Sequence, residues 1–141
     1  MRFYIIFFLA ALIISPGTYA QQFGGNPTSI QWRQLNTDTA RVIFPKGMDS
    51  VANRVASVVH FMAGRQPFSL GKQQRKINIV LQQQTVVANG YVGLGPYRSE
   101  FFLTPEMNSL GQGSIPWADQ LAVHEYRHVQ QINNFNNGLS R

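Results

Sequence analysis

The chain has 141 residues, 44% of them hydrophobic, which is enough for one domain with a core of its own. It contains no cysteine, which excludes a disulfide-stabilised scaffold and any metal site built on thiolates. The formal net charge is +6 at pH 7, but the basic residues are scattered along the chain, so we expect no nucleic-acid partner.

Residues 1–20 have the pattern of a signal peptide that is cleaved after Ala20. Arg2 provides the basic start, and an apolar run follows from Phe3 to Ile14. That run is shorter than the roughly 20 residues that cross a bilayer, so an uncleaved anchor is the weaker alternative. We therefore expect an exported protein without a stable membrane span after cleavage. The absence of cysteine suits a bacterial periplasm, cell surface or secreted location.

The exported chain is predicted to begin with a flexible leader over residues 21–29 and to continue as one domain over residues 30–141. Two strands are expected first, over residues 30–35 and 40–44. The polar residues 36–39 between them favour a turn, and together the two strands predict a hairpin.

A helix is predicted over residues 51–63, because its valines recur at the helical period. His60 lies in this helix. A metal-ligating role for His60 is conceivable, but a lone histidine on an amphipathic helix is more typical of a surface position. The basic cluster at residues 72–76, just after the helix, is interpreted as a solvated loop.

Three further strands are predicted over residues 76–81, 86–94 and 99–103, and the second of them is interrupted by glycines. A final helix is expected from Ser114 to Asn136. This order of elements predicts an α+β domain with a mixed, mostly antiparallel sheet and two packed helices, the C-terminal one carrying the motif described next.

The final helix contains the motif His124-Glu125-Tyr-Arg-His128. Histidines four residues apart on a helix emerge on one face, at a separation that lets both bind one zinc ion. Glu125 is placed to act as a general base on a water molecule rather than to bind the metal. The motif therefore predicts a Zn²⁺ site with His124 and His128 as ligands and Glu125 as the catalytic residue.

A pattern with three fixed positions also arises by chance, so its context matters. A stripe of apolar residues and the two histidines recurs at steps of three and four: Trp117, Leu121, His124, His128, Ile132 and Phe135. This spacing predicts that both histidines lie on the core-facing side of the helix. Buried imidazoles need a partner, and a metal ion would provide one; a satisfied pair of core histidines is the alternative.

The motif helix, the order of elements and the segment Asn89-Gly90-Tyr91-Val92 together resemble the N-terminal subdomain of gluzincin zinc metallopeptidases. Secreted bacterial proteins with a similar helix are often joined to β-propeller repeats. The resemblance implies hydrolysis of a peptide or protein substrate. It also implies that residues 89–92 form an edge strand that binds an extended substrate, with Gly90 allowing close approach of the substrate backbone. A plain loop is the alternative for this segment.

The chain departs from that family in one respect. Gluzincins take a third zinc ligand from a second helix downstream, and no His, Asp or Glu follows His128. The Gly and His that a metzincin would need after the motif are also missing, since Gln131 and Asn134 occupy those positions. We therefore expect a truncated domain, either a fragment or a decayed gene, that needs the C-terminal remainder for efficient catalysis. The alternative is a non-catalytic exported module that binds zinc or peptides.

Overall fold

The computed structural model describes residues 25–65, 73–105 and 114–135. The predicted signal peptide lies outside these ranges and stays a prediction. Part of the predicted leader is described: the Asn26 side-chain amide donates a 2.8 Å hydrogen bond to the Gln82 side chain, so this end of the leader contacts the sheet. No helix in the described ranges is long and apolar enough to cross a bilayer.

The described chain forms five strands and two helices in the predicted order. The strands are β1 (Trp32–Asn36), β2 (Ala40–Pro45), β3 (Ile77–Gln82), β4 (Ala88–Leu94) and β5 (Tyr97–Leu103). The helices are α1 (Asp49–Gly64), between β2 and β3, and α2 (Trp117–Asn134), after β5. The α+β class is thereby confirmed, with one mixed sheet and two helices.

The sheet has the strand order β1-β2-β3-β5-β4. The outer pairs β1–β2 and β4–β5 are antiparallel, whereas the central pairs β2–β3 and β3–β5 are parallel. The prediction of a mostly antiparallel sheet is therefore wrong at the centre. For β2–β3 the physical reason is the connection through α1, because a crossover helix returns the chain to the same end of the sheet and makes the next strand parallel. β5 is parallel to β3 because β4, between them in the chain, runs antiparallel to β5 at the sheet edge.

The last two strands explain how the motif helix meets an open edge of the sheet. β5 inserts between β3 and β4, which leaves β4 at the edge. α2 then packs over β4 and β5, while α1 packs over β2 and the two helices contact each other. Both helices cover one face of the sheet, and the core lies between them and the inward side chains of the strands: Ala40, Val42, Phe44, Ile77, Ile79, Leu81 and Phe101.

A polar network fastens β4 to the sheet. The Arg98 guanidinium donates to Glu100 over 2.6 Å and to the Tyr91 hydroxyl over 3.3 Å, and the Gln82 side-chain amide donates to Glu100 over 3.0 Å. Burial alone would raise the pKa of the Glu100 carboxyl, but the hydrogen bonds from Tyr91, Arg98 and Gln82 together lower it. The network links β3, β5 and β4, so it holds the edge strand in place.

Candidate functional site

The motif lies in the middle of α2, and side chains near the start of this helix fix its position. The Trp117 indole N–H donates a 2.9 Å hydrogen bond to the carbonyl oxygen of Phe102 on β5. Asp119 is only 5% exposed and accepts three hydrogen bonds from the Arg54 guanidinium of α1, the shortest of 2.8 Å. These contacts tie α2 to the sheet and to α1.

The face of α2 that enters the core is not the predicted one. Its buried residues are Asp119, Leu121, Ala122, Glu125, Tyr126, Val129 and Gln130. His124 and His128 are exposed, so the prediction that both histidines point into the core is wrong. The pattern was ambiguous because Leu121 belongs to both faces, and Phe135, which extended the predicted stripe, is 72% exposed.

The two motif histidines converge at the surface beside the edge strand. Their Nε2 atoms are 3.3 Å apart, within hydrogen-bonding distance, and their rings meet edge to face with centroids 4.9 Å apart. Two ligands at about 2.05 Å from one tetrahedral zinc ion would be separated by about 3.3 Å. The observed Nε2–Nε2 distance therefore matches the separation of two nitrogen ligands of one zinc ion.

The orientation of His128 has a further support. Its Nδ1 atom lies 3.1 Å from the side-chain oxygen of Gln131, one turn further along α2. If Nδ1 carries the proton and donates it to Gln131, Nε2 carries the lone pair, which is the tautomer that a metal-ligating histidine needs. In the metal-free protein this lone pair faces Nε2 of His124. Sequence reasoning missed Gln131, although its position three residues after His128 places it on the same helix face.

Glu125 lies on the inner side of the histidine pair. Its side chain is only 4% exposed, yet it lines the same groove as His124 and His128. Burial raises the pKa of the Glu125 carboxyl, although the two neighbouring histidines act in the opposite direction. A general base at neutral pH benefits from such a raised pKa, because a more basic carboxylate accepts a proton more readily.

The groove runs between α2 and the edge strand β4, has a volume of about 620 Å³, and brings all the predicted site residues together. Its lining consists of Ala88, Asn89, Gly90, Tyr91, Val92, Trp117, Gln120, Leu121, His124, Glu125, His128 and Ile132. Residues 89–92 lie in the edge strand β4 beside the motif helix and do not form a plain loop, while their role in binding a substrate stays a prediction. Trp117, Gln120 and Ile132 add walls that the motif alone did not indicate.

The Cβ direction of Gly90 faces side chains of α2. A Cβ atom at this position would lie 2.8 Å from Oε1 of Glu125 and 2.9 Å from Cδ2 of Leu121. The close approach that the glycine permits on this side is therefore made by two side chains of α2, and a substrate backbone would have to approach Gly90 from the open edge.

The Asn89 side chain contacts the backbone of β4. The backbone N–H of Gly90 donates a 2.9 Å hydrogen bond to the side-chain oxygen of the exposed Asn89. Asn89 therefore engages a backbone donor of the strand that lines the groove.

Two histidines are the candidate metal ligands that the described residues bring together. Within residues 25–65, 73–105 and 114–135, no group of three or more His, Cys, Asp or Glu side chains is placed to hold a metal ion. His60 lies on α1 and does not line the groove.

Comparisons of the chain with protein-family models, with curated proteins and with solved structures gave no match. The candidate function therefore rests on the geometry and chemistry of the groove.

Proposed function

We propose that this protein is an exported zinc-dependent metallopeptidase, similar to the gluzincins, that hydrolyses peptide bonds in the groove between α2 and β4. The observation that carries the proposal is the convergence of the His124 and His128 Nε2 atoms at 3.3 Å, beside the buried Glu125 carboxylate. An open strand edge lines the same groove and would present an extended peptide to these three side chains.

His124 and His128 would hold the metal ion, and Gln131 would orient His128. Zinc, when bound, supplies a Lewis acid that polarises a carbonyl group and lowers the pKa of a water molecule. Glu125 would take a proton from the attacking water and then return it to the leaving amine. In the metal-free protein, burial raises the pKa of the Glu125 carboxyl, which favours its uptake of a proton.

A catalytic zinc site normally has three protein ligands. The third ligand would come from outside the described residues, in a C-terminal remainder of the catalytic domain. A β-propeller would be a further partner, as in the secreted bacterial proteins that the motif helix resembles. Export with cleavage after Ala20 is part of the same proposal. The two-histidine ligand set also supports a second candidate, a non-catalytic exported module that binds zinc or peptides.

The test is cleavage of a fluorogenic peptide library by the protein, with ZnCl₂ and after EDTA treatment. Should the reading frame continue beyond residue 141, the assay is run on the longer protein. In the protein that includes the third ligand, we expect zinc-dependent cleavage by the wild type and none by Glu125→Gln, with zinc binding retained. Undiminished turnover by Glu125→Gln would overturn the role of this residue. Zinc binding without cleavage by the wild type would favour the non-catalytic module.

A further inference from the structure

We infer that Gly90 is a positioning residue: the absence of a side chain at this point of β4 creates the space in which the Glu125 side chain lies beside the histidine pair. The inference rests on the proposed role of Glu125 as general base. It concerns how the edge strand serves that role. Gly90 would then act on the α2 side of β4, in addition to any contact that its backbone makes with a peptide.

The steric evidence is specific to one position and one direction. A Cβ atom at position 90 would lie 2.8 Å from Oε1 and 3.0 Å from Cγ of Glu125, and 2.9 Å from Cδ2 of Leu121. Real Cβ atoms essentially never approach other heavy atoms within 3.0 Å. Glu125 and Leu121 are each 4% exposed and both line the groove, so a methyl group at position 90 would press on side chains of the site itself.

The backbone at Gly90 does not itself require glycine. Among the described residues, the glycine with a positive φ is Gly47, so an alanine at position 90 would fit the strand conformation. Replacement of Gly90 by alanine therefore tests the contact with α2 without adding backbone strain.

Gly93 provides a matched control on the same strand. A Cβ atom there would meet its nearest neighbour, the carbonyl oxygen of Pro96, at 3.5 Å, which is ordinary van der Waals contact. The two substitutions add the same methyl group to β4, and only the one at position 90 presses on the motif helix.

The expected displacement follows from these distances. To restore an ordinary contact of 3.4 Å from 2.8 Å, the carboxylate of Glu125 must move by about 0.6 Å. A misplacement of about 1 Å costs on the order of 100-fold in rate when the geometry of the reacting groups is at stake. Gly90→Ala should therefore lower kcat by about 10- to 100-fold and leave KM and zinc affinity near the wild-type values. Gly93→Ala should keep the wild-type kcat.

A readout that does not depend on activity uses carboxyl ¹³C NMR of protein labelled at glutamate. The sequence has three glutamates, Glu100, Glu106 and Glu125, and Glu125→Gln assigns the signal of interest. We expect Gly90→Ala to shift the Glu125 signal and Gly93→Ala to leave it in place. An unmoved Glu125 signal in Gly90→Ala, or an equal shift in Gly93→Ala, would overturn the inference.

A double variant covers the case in which Gly90→Ala folds poorly. If the substitution is costly because it presses on Glu125, then Gly90→Ala should lower Tm less in the Glu125→Ala background than in the wild type. Equal losses of Tm in both backgrounds would show that the two positions are independent. A wild type that binds zinc but cleaves no peptide would overturn the proposed function instead, and the NMR and melting experiments would still decide whether Gly90 positions Glu125.

Discussion

Zinc should stabilise the fold through the two motif histidines. A ligand that binds only the folded state stabilises it by RT ln(1 + [L]/Kd), which is about 2.7 kcal/mol at a free zinc concentration of 100 Kd. For a domain of roughly this size, 1 kcal/mol corresponds to about 4 °C in Tm, so the expected rise is about 10 °C. The 3.3 Å separation of the Nε2 atoms supports this expectation, because the two ligands already lie as far apart as one zinc ion requires.

The histidine variants provide the specificity of the test. The chain has three histidines, and His60, on α1, serves as the control for His124 and His128. In thermal melts with zinc and with EDTA, His124→Ala and His128→Ala should each lose most of the rise in Tm, whereas His60→Ala should keep it. Gln131→Ala should show a partial loss. A tenfold weaker affinity, typical for removal of a partner that orients a ligand, would reduce the stabilisation to about 1.4 kcal/mol.

Two results would refute this reasoning. One is a rise in Tm that survives in both His124→Ala and His128→Ala, since zinc would then bind elsewhere. The other is an equal loss in His60→Ala, which would point to non-specific binding of zinc to histidine side chains. The partial effect of Gln131→Ala separates an oriented site from a chance pair of surface histidines.

Two further predictions concern the groove. Because burial raises the pKa of Glu125, its ionised form destabilises the fold at pH values above the folded-state pKa. In metal-free protein, Glu125→Gln should therefore raise stability by about 1 kcal/mol at pH 7, and denaturant titrations should show this gain vanish as the pH falls below the unfolded-state value near 4.3. Removal of the Asn89 side chain should release the Gly90 N–H, so an extended peptide that adds to β4 should bind Asn89→Ala about 2- to 10-fold more tightly in fluorescence titrations. Weaker binding would instead show that Asn89 itself contacts the peptide.

The strands and helices could be predicted from the sequence because their signals are local. The hydrophobic period of residues 51–63 and the turn before Ala40 are each contained within a few residues, and the corresponding elements form where they were expected. The pairing of the strands is not local. β5 lies between β3 and β4, an order that neither strand pattern encodes, because the choice depends on how the whole sheet covers the core.

The face of α2 shows the same limit on a smaller scale. A helical pattern that contains Trp117, Leu121 and Ile132 allows two overlapping faces, and only packing against β5 and α1 selects the one with Tyr126 and Val129. The motif spacing nevertheless predicted the convergence of His124 and His128, because residues four apart on a helix meet whichever way the helix is turned.

The orientation of α2, which exposes the two motif histidines, changes the argument for a metal site. Buried histidines need a polar partner, and a metal ion is one of several that would serve. Exposed histidines can be hydrated by water and need no such partner. Their convergence at 3.3 Å is therefore not required by burial, and Gln131 adds an orientation that hydration alone does not demand. At the same time Glu125 is buried and packs closely against Gly90. Its charge is costly in this buried position. Burial of the Glu125 carboxylate costs stability, and proteins retain such costs mainly at functional sites.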